Sequence, residues 1–237
     1  MRENFQRVED GESVHIEVNF EVEDFKDAYP WLLSIFVKYD GLDETQEGYE
    51  EFLETKESLI IALEHSDRAV YVGGRVVDGW SELYFYSYDS KRLDPTLKKI
   101  LAPSNYVYET NIVRDTRWGF YEKQLLPTDL EVCHIESTKI IFLLKEEEDD
   151  LTQAREVEHY LSFETPTQKN RFINTLELEG FEYKDEISSE EFDHGIVVVR
   201  THTLIEDEVK ENVEKLFTFV KSVGGFYEGW STTLVSE

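Results

Sequence analysis

The chain has 237 residues, 40% of them hydrophobic, and its 52 acidic and 24 basic side chains give a formal net charge of −28. This hydrophobic content excludes a disordered chain and is sufficient for one large domain or two ordinary ones. The acidity disfavours direct binding to nucleic acid or anionic lipid, because their phosphate groups are repelled. It is equally compatible with a basic protein partner and with a surface that serves only solubility.

The cysteine content and the apolar segments indicate the compartment. Cys133 is the single cysteine, so no intramolecular disulfide can form. Residues 1–13 lack the apolar region of a secretory leader, and the longest apolar runs, near 31–37 and 140–144, are too short to span a bilayer. We therefore expect a cytoplasmic protein that does not bind membranes.

The first half of the chain predicts a strand, a helix, two strands, a helix and a strand. Apolar residues recur at helical spacing in 43–64, and a turn at 76–79 separates two strand-like segments. An aspartate and a proline at 94–95 are typical of a helix start. The predicted elements are 31–39, 43–64, 68–74, 80–88, 94–101 and 105–113.

A connecting helix is predicted between the two halves, at residues 128–150, because one of its faces is apolar. The acidic run 146–150 at its end is typical of a solvated loop. We expect a first domain at 1–145, which includes this helix, and a second domain at 155–237.

The second half predicts the same order of elements. Thr165 and Pro166 are typical of an N-cap and a first helical residue, and Gly180 is a candidate helix end. The predicted elements are 156–164, 165–180, 181–188, 195–204, 205–225 and 226–235. The chain therefore predicts an α+β fold of two ferredoxin-like βαββαβ repeats with antiparallel sheets, joined by the connecting helix.

Sites for chemistry are weak in this sequence. His159 and His202 fall on neighbouring predicted strands, but they lack the spacing and the further ligands of a metal site, so a hydrogen-bonded structural pair is favoured. Neither a nucleophile motif nor a phosphate-binding glycine loop is present. We predict no metal, no cofactor and no catalytic activity.

Aromatic residues on one predicted strand allow two interpretations. Trp80, Tyr84, Tyr86 and Tyr88 share one face of the segment 80–88. Exposed aromatics on such a sheet can stack RNA bases, but RNA-binding sheets also carry Lys and Arg, whereas acids flank this strand. We favour packing of this face on the second repeat or on another chain.

Several segments of the second half together resemble a known family. They are VEHYLSF at 157–163, EGFEY at 179–183, GIVVVRTHTL at 195–204 and YEGWSTTLV at 227–235. Over roughly 80 residues, this part resembles the bacterial regulator of ribonuclease E activity B. The resemblance implies a ferredoxin-like regulator that binds a ribonuclease scaffold and catalyses no reaction itself.

The first half has a resemblance of its own. The segment RDTRWGFYEKQLLP at 114–127 and the junction REVEHYLSF at 155–163 are similar to a bacterial domain family of unknown function that is often joined to such a regulator.

Two hypotheses of function follow. The first is a regulatory module that binds a basic protein partner. Its candidate contacts are Glu206, Asp207, Glu208 and Glu211 on the last predicted helix, although a merely solvated helix face is the alternative for each. The second is an enzyme or small-ligand binder that uses a cleft between the repeats. Residues proposed to line this cleft are Trp80, His159, His202 and Trp230.

An acid-Gly-Trp motif occurs twice, at 78–80 and at 228–230. The first copy lies between the second and third strands of its repeat, and the second lies in the last strand. They are not equivalent positions, and element order makes Trp118 the nearer counterpart of Trp230. We therefore expect no repeated active site.

Overall fold

The computed structural model describes residues 1–39, 45, 47–65, 67–91, 93–176, 180–188 and 194–235. The chain forms two compact units, Met1–Pro127 and Thr128–Glu237. Within the described residues, no helix is both long enough and apolar enough to cross a bilayer.

Among the described residues, the first unit is a six-stranded antiparallel sheet with two α-helices, two short 3-10 helices at Glu23–Phe25 and Ala102–Ser104, and a π-helix at Tyr121–Leu125. Its strands are β1 (Arg2–Glu9), β2 (Glu12–Asn19), β3 (Trp31–Val37), β4 (Ala69–Val77), β5 (Trp80–Ser87) and β6 (Tyr108–Arg114), and its helices are α1 (Tyr49–Glu64) and α2 (Leu93–Leu101). The sheet order is β1-β2-β4-β5-β3-β6. Four neighbouring strands, β4-β5-β3-β6, have the predicted ferredoxin-like arrangement, which is thereby confirmed. The predicted start of α1 at residue 43 lies outside the described residues.

The hairpin of β1 and β2 is an addition that the sequence analysis did not predict. Asp10 and Gly11 form its turn with positive φ angles of 51° and 88°, the conformation that an Asp-Gly pair favours in two-residue hairpins. Val14, Ile16 and Val18 alternate along β2 and are buried. An Asp-Gly pair followed by this alternation was therefore a usable sequence signal.

Both faces of the first sheet are covered from within the first unit. On one face, α1 and α2 bury residues that include Phe52, Leu59 and Leu97 against β3, β4 and β5. On the other face, residues 115–126, which we call the cover segment, pack over the sheet with Trp118 and Tyr121 fully buried. Each face of the sheet therefore has its own hydrophobic core.

The second unit is a four-stranded antiparallel sheet with three helices. Its strands are β7 (Arg155–Phe163), β8 (Glu182–Ile187), β9 (His194–His202) and β10 (Gly225–Thr232), and its helices are α3 (Asp129–Glu146), α4 (Pro166–Thr175) and α5 (Glu206–Ser222). The order β10-β7-β9-β8 is the ferredoxin-like order. The predicted α+β class is therefore confirmed in this unit as well.

The predicted connecting helix is α3, and it belongs to the second unit rather than to the first domain, where the sequence analysis put it. Thr128 and Glu131 form a capping box at its start. The indole N–H of Trp230 donates to the Ser137 hydroxyl at 3.0 Å, and Ile141 packs into the core below β7 and β9. These contacts join α3 to the second sheet.

Helix α4 begins as predicted and ends earlier than predicted. Thr165 and Gln168 form its capping box, and Pro166 is its first residue. The helix ends at Thr175, so Gly180 does not end it directly. Residues 177–179 lie outside the described residues.

Candidate protein-interaction surface

Trp118 is an internal residue of the first unit. It has a positive φ of 53°, its ring stacks on Tyr86 at 4.0 Å between centroids, and its indole N–H donates to the Tyr29 carbonyl at 2.8 Å. The tight turn is stabilised by Asp115, whose carboxylate accepts hydrogen bonds from the backbone N–H groups of Gly119 and Phe120. Trp118 is therefore a core residue and is not available to a partner.

The cover segment also buries aromatic side chains of β5, the strand for which two interpretations were open. Tyr84 and Tyr86 are only 3% and 0% exposed, and Tyr84 packs on Phe120 at 4.3 Å between ring centroids. Neither side chain can stack a nucleic-acid base. The face is covered by the chain's own residues 115–126, so our expectation that it packs on the second repeat or another chain was wrong.

His159 and His202 do come together, inside the second unit. Their ring centroids are 5.9 Å apart. The Nδ1 atom of His159 is 2.8 Å from the Tyr227 hydroxyl, and that of His202 is 2.6 Å from the Thr203 carbonyl. Both Nε2 atoms are buried without a hydrogen-bond partner among the described residues.

The environment of this pair favours neutral rings. Burial lowers the pKa of His159 to about 3, and burial also lowers the pKa of His202. Among the described residues, no group of three or more His, Cys, Asp or Glu side chains is placed to hold a metal ion. The geometry is that of a structural pair within the core.

The residues proposed to line a cleft are mostly internal. His159, His202 and Trp230 are 0%, 3% and 5% exposed, and their contacts are with other residues of the second unit. Trp80 is partly exposed and lies under the ammonium group of Lys38, 5.9 Å from its ring centroid. Three of the four residues therefore cannot line a surface cleft.

The two acid-Gly-Trp motifs have different backbone roles. Asp78 and Gly79 form the turn between β4 and β5, with φ angles of 50° and 75°, and Trp80 begins the next strand. Gly229 lies at a bulge within β10, followed by Trp230. The positions are not equivalent, as expected. Trp118 is no counterpart of Trp230 either, because it follows β6 and packs on the face away from the helices.

Two of the four acids proposed on α5 pair with lysines of the same helix, and a third is bonded by a residue just before it. Glu206 pairs with Lys210 at 2.7 Å, Glu211 pairs with Lys215 at 2.5 Å, and Glu208 accepts a hydrogen bond from the Thr203 hydroxyl. Among the described residues, Asp207 forms no ion pair. The outer face of α5 is thus acidic, but lysines of the same helix balance much of its charge.

A second acidic surface lies on the sheet of the second unit, and the sequence analysis did not identify it. Val157, Leu161 and Val198 point into the hydrophobic core, and helices α3, α4 and α5 all pack on that side. Alternate residues point to the opposite side, where no described helix of this unit lies. We call this side the open face. Its residues include Glu156, Glu158, Tyr160, Ser162, Glu182, Lys184, Asp185, Val197, Val199, Phe226, Glu228 and Ser231.

The open face is organised around one lysine. The Lys184 ammonium donates to Glu156 at 2.5 Å and to Glu158 at 2.6 Å, which raises the pKa of the lysine and lowers that of Glu158. The Tyr160 hydroxyl donates to Glu158 at 2.9 Å and lies 2.7 Å from the Ser231 hydroxyl. These contacts hold carboxylates and an aromatic ring in fixed positions on the sheet. The strand period was visible in the sequence, but the uncovered side was not.

Family comparisons agree with this division of the chain. No curated protein matches the chain significantly. Residues 134–232 match the family described as regulator of ribonuclease activity B, so the resemblance noted for the second half is confirmed. Residues 5–126 match a family of unknown function, DUF695, and that match extends over more than half of the chain. The chain therefore belongs to the DUF695 family and carries, after that domain, one similar to the regulators of ribonuclease activity B.

Proposed function

We propose that this protein is a non-catalytic regulator that acts in the cytoplasm by binding a ribonuclease, or a protein associated with one, through a basic segment of that partner. The observation that carries the proposal is the match of residues 134–232 to regulator of ribonuclease activity B. A shared family does not by itself transfer a partner, so the surface chemistry has to be compatible with it.

The charge of the chain supports a basic partner. With 52 acidic and 24 basic side chains, the surface attracts Lys and Arg and repels RNA phosphates. In the second unit, lysines such as Lys169, Lys184 and Lys210 are each within 2.7 Å of a carboxylate oxygen of the same unit. Binding to the ribonuclease protein, rather than to its RNA substrate, is therefore the mode that the electrostatics favour.

The test uses endoribonucleases purified from the host cell and a fluorogenic RNA substrate. We expect a saturable change in the cleavage rate when the full chain is added, and a complex whose affinity falls as salt rises. Polyglutamate at equal charge concentration is the control for a charge effect without a specific surface. If no host endoribonuclease binds the chain at low or at physiological salt, the proposal is wrong.

A further inference from the structure

We infer that the open face of the second sheet is the docking surface for a partner's Lys/Arg-rich segment that also carries an aromatic or aliphatic residue. This inference rests on the function proposed above and names the surface that performs it. The sequence had pointed instead to acids on α5.

The open face is strongly acidic. The open face carries five carboxylates, those of Glu156, Glu158, Glu182, Asp185 and Glu228, and among its described residues Lys184 is the one basic side chain. That lysine already contacts two of the five acids. Among the described residues, Glu182, Asp185 and Glu228 form no ion pair, and their charge is complementary to a cationic segment.

The outer face of α5 is less acidic by the same comparison. Five acids lie on that helix, at 206, 207, 208, 211 and 214, with three lysines, at 210, 215 and 221. Two of those lysines pair with acids one turn away. A basic partner would have to displace these lysines, whereas on the open face Lys184 competes for two of the five acids, Glu156 and Glu158.

The open face also has apolar side chains among its acids. Tyr160 and Val199 are partly exposed in the middle of the face, beside the buried Val197. Phe226 at the edge strand is 41% exposed, and the Lys221 ammonium lies 4.9 Å from its ring centroid. An apolar centre with a charged rim is the arrangement of specific protein interfaces. A partner residue with an aromatic or aliphatic side chain would cover this centre while Lys and Arg contact the rim.

The test compares two charge-reversal variants of the full chain that alter net charge equally. One is the open-face variant Glu182→Lys with Glu228→Lys, and the other is the helix variant Asp207→Lys with Glu214→Lys, all at exposed positions. The probes are the purified ribonuclease and a fluorescein-labelled peptide rich in arginine and tyrosine. Circular dichroism and urea unfolding check that each variant folds, and the milder variant Glu182→Gln with Glu228→Gln serves if the first does not.

We expect the open-face variant to raise the Kd for both probes about ten-fold and the helix variant to raise it less than about two-fold. Equal weakening by both variants, or weakening by the helix variant alone, would overturn the inference while leaving the proposed function intact. Failure of the unaltered chain to bind the ribonuclease would instead refute the proposed function. Peptide binding that still depended on the open face would then support this surface for a different basic partner.

Discussion

The two units share an order of strands and helices but differ in what lies on the second face of the sheet. In the first unit, residues 115–126 follow the last strand and cover that face with Trp118, Phe120 and Tyr121. In the second unit, no described segment of the unit plays that part, and the corresponding face bears acids and one lysine. A short segment beyond the common elements therefore determines whether the second face of a ferredoxin-like sheet is buried or exposed.

Replacement of Trp118, which covers the first sheet, should have the largest effect on stability. We expect Trp118→Ala to lower the free energy of unfolding by about 3–5 kcal/mol, because it leaves a cavity over Tyr86 and removes the hydrogen bond to Tyr29. Urea unfolding followed by tryptophan fluorescence measures this. The control Trp80→Ala, at a partly exposed tryptophan of the same unit, should cost less than about 1 kcal/mol. Equal losses in both variants would contradict the role given to the cover segment.

A fall in pH should lower the stability of the second unit, because His159 is buried there in its neutral form. The pKa of His159 is about 3 in the folded chain and about 6.5 when unfolded, so below pH 6.5 the unfolded state takes up a proton that the folded state does not. The contribution of His159 to the free energy of unfolding is therefore fully present above pH 6.5 and is lost as the pH falls toward 3. Between pH 7.5 and 4.5 we expect a loss of about 2–3 kcal/mol.

The matched variant for this titration is His159→Gln, whose amide can still contact the Tyr227 hydroxyl. Its unfolding free energy should change less over the same pH range than that of the unaltered chain. His202, whose pKa is lowered in the same direction, will retain part of the dependence. Identical pH profiles for the two chains would show that His159 is not the titrating group.

The attachment of α3 to the second sheet can be tested by a smaller change. Trp230→Phe keeps an aromatic ring in the core and removes the indole N–H that donates to Ser137. We expect a loss of about 1–2 kcal/mol in the free energy of unfolding. In Ser137→Ala the indole N–H loses its acceptor, so the double variant should cost less than the sum of the two single changes. Strict additivity would argue against this hydrogen bond.

The smallest effect on stability is expected from a substitution on the open face. Lys184→Met removes the cation of an ion-pair cluster at the protein surface, so the urea midpoint should stay within experimental error. The arginine-rich peptide, in contrast, should bind about two-fold more tightly, because Glu156 and Glu158 lose their competing lysine. Weaker peptide binding would mean that the lysine itself contacts the ligand.

Hydrophobic periodicity and capping residues were sufficient to predict most elements of both repeats. Thr165, Gln168 and Pro166 start α4 through local contacts, and a local signal of this kind is readable from the sequence. The cover segment was not predictable in this way. Its turn depends on the Asp115 carboxylate, which accepts hydrogen bonds from the backbone N–H groups of Gly119 and Phe120. It also depends on the positive φ of Trp118, a conformation that only tertiary packing stabilises.

The candidate site was predictable only in part. Pairing of His159 with His202 followed from neighbouring strands, and their separation of 5.9 Å agrees with it. Burial of Trp230 did not follow, because its indole is covered by α3, which the sequence analysis assigned to the other domain. The open face was missed for a related reason. Periodicity shows that a strand has two sides, but it does not show which side the helices leave uncovered.

The cover segment also has a practical meaning for anyone who divides this chain into fragments. A fragment that ends at Arg114, the last residue of β6, would contain every strand and both α-helices of the first unit but not the π-helix Tyr121–Leu125. It would nevertheless present Tyr84, Tyr86 and their apolar neighbours to solvent, and an exposed apolar patch of this kind promotes aggregation. An expression boundary placed at the end of β6 would therefore favour aggregation, whereas one placed at Pro127 retains the residues that bury this face of the first sheet.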